Sequence, residues 1–108
     1  MYGEGSVVLA EFSVVPIGKG ESVSEYVAEC MKIVLASGVQ YRMNPMGTVL
    51  EGSYDDVMGV IRSCHMRIME VCTRAITTVK IDDRRDRENM LRSKIESVER
   101  KLGTKLET

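Results

Sequence analysis

The chain has 108 residues, 44% of them hydrophobic and 29% charged, with a net charge of −1. That length and composition describe one globular domain, burying roughly two thirds of its unfolded surface, and argue against disorder. A near-neutral charge, 5% aromatics and no tryptophan argue against nucleic acid as a partner, and no apolar run approaches the ~20 residues that span a membrane.

The opening "MYGEGSVVLAEF" has no basic n-region and no small-residue cleavage site, so no signal peptide is expected. The three cysteines, Cys30, Cys64 and Cys72, then read as reduced thiols of a cytoplasmic protein. "SVVLAEFSVVPIG" alternates. Val8, Ala10, Phe12 and Val14 share one face; Val7, Leu9, Glu11, Ser13 and Val15 share the other. Period two with β-branched residues predicts a strand, closed by Pro16 and Gly18. In "KGESVSEYVAECMKIVLASG", Ser22 and Glu25 have capping-box spacing, and Val23, Tyr26, Val27, Cys30 and Val34 recur at helical intervals. Gly38 supplies the stop.

Two short strands follow around "NPMG", which matches a type I turn with Asn44 first, Pro45 second and Gly47 fourth. The turn reads equally as a plain hairpin or as the rim of a site. A second helix opens on Ser53 as cap, with Asp55 and Asp56 in its first turn, where the helix dipole favours acids. Its stripe is Val57, Ile61, Cys64, Ile68 and then Val71 or Cys72. "RAITTVKI" predicts a strand with Ala75, Thr77, Val79 and Ile81 on one face and Ile76, Thr78 and Lys80 on the other. Leu91, Ile95, Val98 and Leu102 space a last helix that Gly103 ends.

The order βαββαβ plus a helix, with right-handed crossovers, predicts an α+β ferredoxin-like sandwich. It is a single domain over 1–108 with an ordered core over 6–102. Both crossover helices cover one face of a four-stranded antiparallel sheet. The other face carries Val7, Leu9, Val15 and Ile76, each worth roughly 1.5–3 kcal/mol when buried. That apolar patch predicts self-association to a dimer or tetramer, either through this face or through sheet edges with the face closed by the last helix. The parity of Thr48 and Leu50 against Val49 and Glu51 stays open.

Glu11 stands mid-strand among aliphatics. A carboxylate there is a structural ion pair with Lys80, a group that meets a cationic or amine-bearing ligand, or a solvated charge. His65, the only histidine, reads as a half-buried helix residue. The cysteines offer no C-x-x-C pair, and Cys64 and Cys72 lie roughly 12 Å apart along a helix. They read as core packing, so neither a metal site nor a cofactor is expected. From Lys80 to Glu88, four basic residues face four acidic ones, a self-neutralising segment in which Asp82 or Asp83 is placed to cap the last helix.

Four stretches, "EFSVVPIG", "YRMNPMGTVLEG", the helix ending in "SCHMRI" and "TTVKIDDRRD", together resemble the thiamine-binding-protein-like family, the single-domain relatives of the YkoF protein. The resemblance runs from about Val7 to Leu102. It implies a ferredoxin-like domain that assembles into dimers and tetramers and binds thiamine or its hydroxymethylpyrimidine part without catalysis. YkoF carries two such domains in one chain; this chain carries one, so a shared site would be built by self-association. The resemblance gives Glu11 and its neighbour Lys80 a place beside the ligand's amine or positive charge. Ser13, Thr48 and Thr78 would orient it, and Pro45, Met46 and Gly47 would border it, the methionine as a soft ring contact. Two rival readings stand beside this one: a small enzyme with Glu11 or His65 as general base, and an oligomeric regulatory module without a small ligand.

Overall fold

The computed structural model describes residues 7–20, 23–85 and 90–108. In chain order the elements are β1 (Val8–Pro16), α1 (Ser24–Ser37), β2 (Gln40–Asn44), β3 (Gly47–Gly52), α2 (Tyr54–Met69), β4 (Ala75–Asp83) and α3 (Met90–Leu102). The strands form one antiparallel sheet in the order β2-β3-β1-β4. Consecutive βαβ units thus interleave, which is the ferredoxin-like arrangement. α1 and α2 pack on one face.

β1 behaves as its alternation requires. Val8, Ala10, Phe12 and Val14 are buried toward the helices. They meet Leu50, Val34, Val57, Ile61, Cys64 and Ile68 in a single core. Each fully buried aliphatic contributes roughly 1.5–3 kcal/mol, and alternation lets one strand supply several without burying its polar residues. α2 ends at Met69, so the expected stripe positions Val71 and Cys72 lie beyond the helix, where Val71 is exposed and Cys72 packs against the core.

The helix ends follow local chemistry. Ser53 accepts a hydrogen bond from the Asp56 amide at 3.1 Å, so α2 is capped by its own side chain. α1 ends at Gly38, whose φ of 74° is left-handed and suits a residue without Cβ. At the other end of α1 the N-cap position is Val23, with no side-chain cap. The expected capping residue Ser22 lies outside the described residues.

β3 resolves the parity that its composition leaves open. Thr48 and Leu50 face the helices, opposite Phe12 and Ala10. Val49 and Glu51 face the other side, where the start of α3 docks. Glu51 is only 4% exposed, and its Oε2 accepts from the Leu91 amide at 3.3 Å. A carboxylate on an adjacent strand therefore holds the N-terminal turn of α3, where the helix dipole favours negative charge. Asp82 and Asp83, the expected caps, instead continue β4 to its end, and Asp82 pairs with Lys94 on α3. The strand runs on because Leu9 and Val8 of β1 still offer backbone partners to Asp82 and Asp83.

α3 packs chiefly over β3 on this second face, with Lys94 reaching Asp82 at the end of β4. Beyond it Val15 is 40% and Ile76 50% exposed, and along α3 Val98 and Leu102 are exposed as well. On the helix side of β4, Thr77 is reached by α2, whereas Val79 and Ile81 remain partly exposed.

Candidate functional site

A cavity of about 150 Å³ opens between the first half of α1, the C-terminal half of β1 and the β2–β3 turn. Val23, Val27, Cys30 and Met31 form its helical wall. Phe12 and Val14 form its floor, and Asn44, Pro45, Met46 and Gly47 form its rim. The hairpin places that rim. Asn44 and Gly47 are register partners, so the loop consists of Pro45 and Met46 alone. Pro45 fixes φ there without needing an amide donor. Met46 consequently projects from the tip, 89% exposed.

The cavity is apolar with a few polar groups at its edge. Thr48 is buried on the same face and donates its hydroxyl to Met31 Sδ at 3.7 Å. Met43, the register partner of Thr48, lies beside it. Four sulfur-bearing side chains, Cys30, Met31, Met43 and Met46, therefore border one small space. Thioethers adapt to flat, polarizable groups. Behind the wall, the Cys64 thiol lies 3.5 Å from the carbonyl oxygen of Cys30. The neighbouring Cys64 side chain holds the Cys30 thiol below its ordinary value, while that interaction and burial push Cys64 up.

The expected site residues divide between the two faces of the sheet. Pro45, Met46, Gly47 and Thr48 line the cavity, and Ser13 borders it where β1 runs past the turn, although its position along β1 has the parity of Glu11. Glu11, Thr78 and Lys80 lie on the face away from α1 and α2, with Glu11 opposite Lys80 and Ser13 opposite Thr78. Glu11 is exposed, and among the described residues no salt bridge joins it to Lys80. Instead its stem lies over Gly47, where a Cβ would stand 3.2 Å from Glu11 Cγ. The side chain thus leans toward β3 and away from β4.

His65 is engaged elsewhere. Its Nδ1 shares a 2.6 Å hydrogen bond with the Thr77 hydroxyl, joining α2 to β4 on the helix side. Glu11 and His65 consequently occupy opposite faces of the sheet and do not form an acid–base pair. The cysteines are free and buried. Among the described residues no cluster of histidine, cysteine and carboxylates has the composition of a metal site. No described helix is long and apolar enough to cross a membrane.

Sequence reasoning missed the helical wall of the cavity. Val27, Cys30 and Met31 lie on or beside the stripe that builds the core, so periodicity alone assigns them to packing. The available signal was the turn itself: a two-residue loop containing proline leaves little backbone to fill the space beneath it.

Comparison with known proteins agrees with this fold. The sequence pattern of the thiamine-binding protein family matches residues 10–99. The UPF0045 protein YqgV of Bacillus subtilis is 39% identical over 102 residues, covering 89% of this chain and 98% of its own. The UPF0045 protein MJ1052 of Methanocaldococcus jannaschii is 35% identical over 91 residues, covering 84% and 91%. The crystal structure of MJ1052 superposes with a TM-score of 0.80, covering 85% of this chain and 95% of that one. A Thermotoga maritima protein, named for a proposed role in thiamine biosynthesis or salvage, shares the fold at a TM-score of 0.75 and 17% identity, covering 85% and 98%. On the match over most of its length, the chain belongs to the thiamine-binding protein family.

Proposed function

We propose that this protein binds thiamine or its hydroxymethylpyrimidine part without catalysing a reaction, and that the cavity beneath the β2–β3 turn receives the pyrimidine ring. The observation that carries this reading is the cavity's size. A space near 150 Å³ takes a single six-membered ring. It is too small for both rings of thiamine, so the thiazolium stays outside. The sulfur-rich wall suits a flat heteroaromatic ring, and the Thr48 hydroxyl and Asn44 amide offer the few polar contacts that fix orientation.

Glu11, Thr78 and Lys80 then serve a different part of the complex. They sit on the face left open beyond α3, where Val15 and Ile76 are exposed. A second copy packing there would enclose them and complete a shared site around the ligand's charged portion. His65 is held by Thr77 and does not line the cavity, which disfavours it as a general base there.

Calorimetric titration tests the proposal. Hydroxymethylpyrimidine and thiamine should both bind, and Thr48→Val should weaken both by roughly tenfold, the loss of about one hydrogen bond. Glu11→Gln should weaken thiamine more than the uncharged fragment. Absence of heat with either compound removes the reading.

A further inference from the structure

We propose that Cys30 and Cys64 are a redox couple, in which a small hydroperoxide entering the cavity converts the two thiols into a disulfide joining α1 to α2. Three observations meet at this pair. Cys30 is buried in the core yet lines the cavity, so one of its sides is reached from outside. Cys64 is fully enclosed, and its Sγ lies 3.5 Å from the Cys30 carbonyl oxygen. Cys72, the third thiol, is buried beyond the end of α2 and does not line the cavity.

Access and order of reaction follow from that arrangement. A space of about 150 Å³ holds hydrogen peroxide easily, since a water occupies roughly 30 Å³. Only Cys30 meets what enters. Burial in apolar surroundings normally keeps a thiol inert. Access from the cavity and a second thiol directly beside it set Cys30 apart from such a thiol.

The chemistry balances with the hydroperoxide as sole oxidant. The Cys30 thiolate attacks one peroxide oxygen, an S–O bond forms and the O–O bond breaks. The departing oxygen takes the proton lost by Cys30 and leaves as an alcohol, or as water from hydrogen peroxide. Cys64 then attacks the Cys30 sulfur, an S–S bond forms and the S–O bond breaks. Hydroxide leaves and takes the Cys64 proton to give water. Two thiols are oxidised by two electrons in total, and one hydroperoxide is reduced. The product ties the cavity's helical wall to α2. This inference depends on the cavity being open to small molecules, not on which ligand it binds.

The test treats the folded full-length protein with hydrogen peroxide, removes the oxidant, unfolds the chain and alkylates it with N-ethylmaleimide. Intact mass and peptide mapping then count the thiols. The expected result is loss of alkylation at Cys30 and Cys64, a peptide linking them, and continued alkylation of Cys72. In Cys64→Ser, or Cys64→Ala where serine prevents folding, Cys30 should stop as a sulfenic acid that dimedone traps. Cys30→Ser should slow oxidation of Cys64 by roughly tenfold or more. The proposal is overturned if all three thiols remain alkylatable at peroxide levels that oxidise an exposed thiol. It is equally overturned if the crosslink involves Cys72, or if the Cys64 variants give no dimedone adduct at Cys30. None of these readouts uses a thiamine ligand, so failure here and failure of the binding proposal are separately visible.

Discussion

Glu11 lies across Gly47: a Cβ on that glycine would stand 3.2 Å from Glu11 Cγ and 3.2 Å from the Phe12 carbonyl oxygen. The lean of this side chain toward β3 accounts for the missing ion pair with Lys80, its direct register partner. It also makes the last residue of the turn a place where backbone and a carboxylate stem meet without room for a side chain.

Gly47→Ala should therefore destabilise the fold by about 1–2 kcal/mol, the usual cost of overpacking a tight contact. Adding Glu11→Ala should recover part of that loss and leave the share due to the Phe12 carbonyl, which cannot swing away. Urea denaturation of the two single variants and the double variant checks the cycle. Full additivity would mean that the two residues do not touch.

Glu51 anchors α3 through the Leu91 amide while almost wholly buried. Glu51→Ala should free the N-terminal turn of α3 at a cost of about 1–3 kcal/mol, whereas Glu51→Gln should keep an acceptor and cost less. Hydrogen exchange along residues 91–102 reads this directly. Exchange in Glu51→Ala should accelerate in α3 and remain unchanged in α1 and α2.

How much of this was readable beforehand depends on how each strand divides its faces. β1 places an apolar residue at every even position from Val8 to Val14, so its core face is unambiguous. β3 places one polar and one apolar residue on each face, Thr48 with Leu50 and Val49 with Glu51, so hydropathy alone leaves its orientation open. The glutamate is buried because the start of α3 supplies, forty residues later, an amide and a dipole, a long-range fact with no local signature. The site divides in the same way. Pro45, Met46 and Gly47 were legible from turn chemistry, while Cys30 and Met31 were hidden in a core stripe. Grouping Glu11 with Thr48 followed from the family resemblance, but the pleat sends their side chains to opposite faces.

Ser53 is the clearest local device. Its hydroxyl accepts from the Asp56 amide, so Ser53→Ala should cost about 1 kcal/mol and Ser53→Asp should cost little. Thermal unfolding followed by circular dichroism distinguishes them.

Acid should loosen the α1–α2 surface through Glu29. Its hydrogen bond with Lys32 lowers the carboxyl below the usual glutamate value, with further help from Arg67 of α2. A depressed folded value means the stabilisation is present above the ordinary glutamate pKa and is lost as pH falls through the folded value. Carboxyl NMR titration should find Glu29 below a free glutamate, and Lys32→Ala should move it upward. No movement would remove the pairing from the account.

The central claim is that one aromatic ring sits beneath the β2–β3 turn among methionine side chains. Methyl NMR of methionine-labelled protein, titrated with hydroxymethylpyrimidine, reads that space directly. The account predicts that Met31, Met43 and Met46 shift together at a shared saturation while Met58, Met66 and Met69, which do not line the cavity, stay in place. Shifts confined to the latter three, or none at saturating ligand, would contradict it.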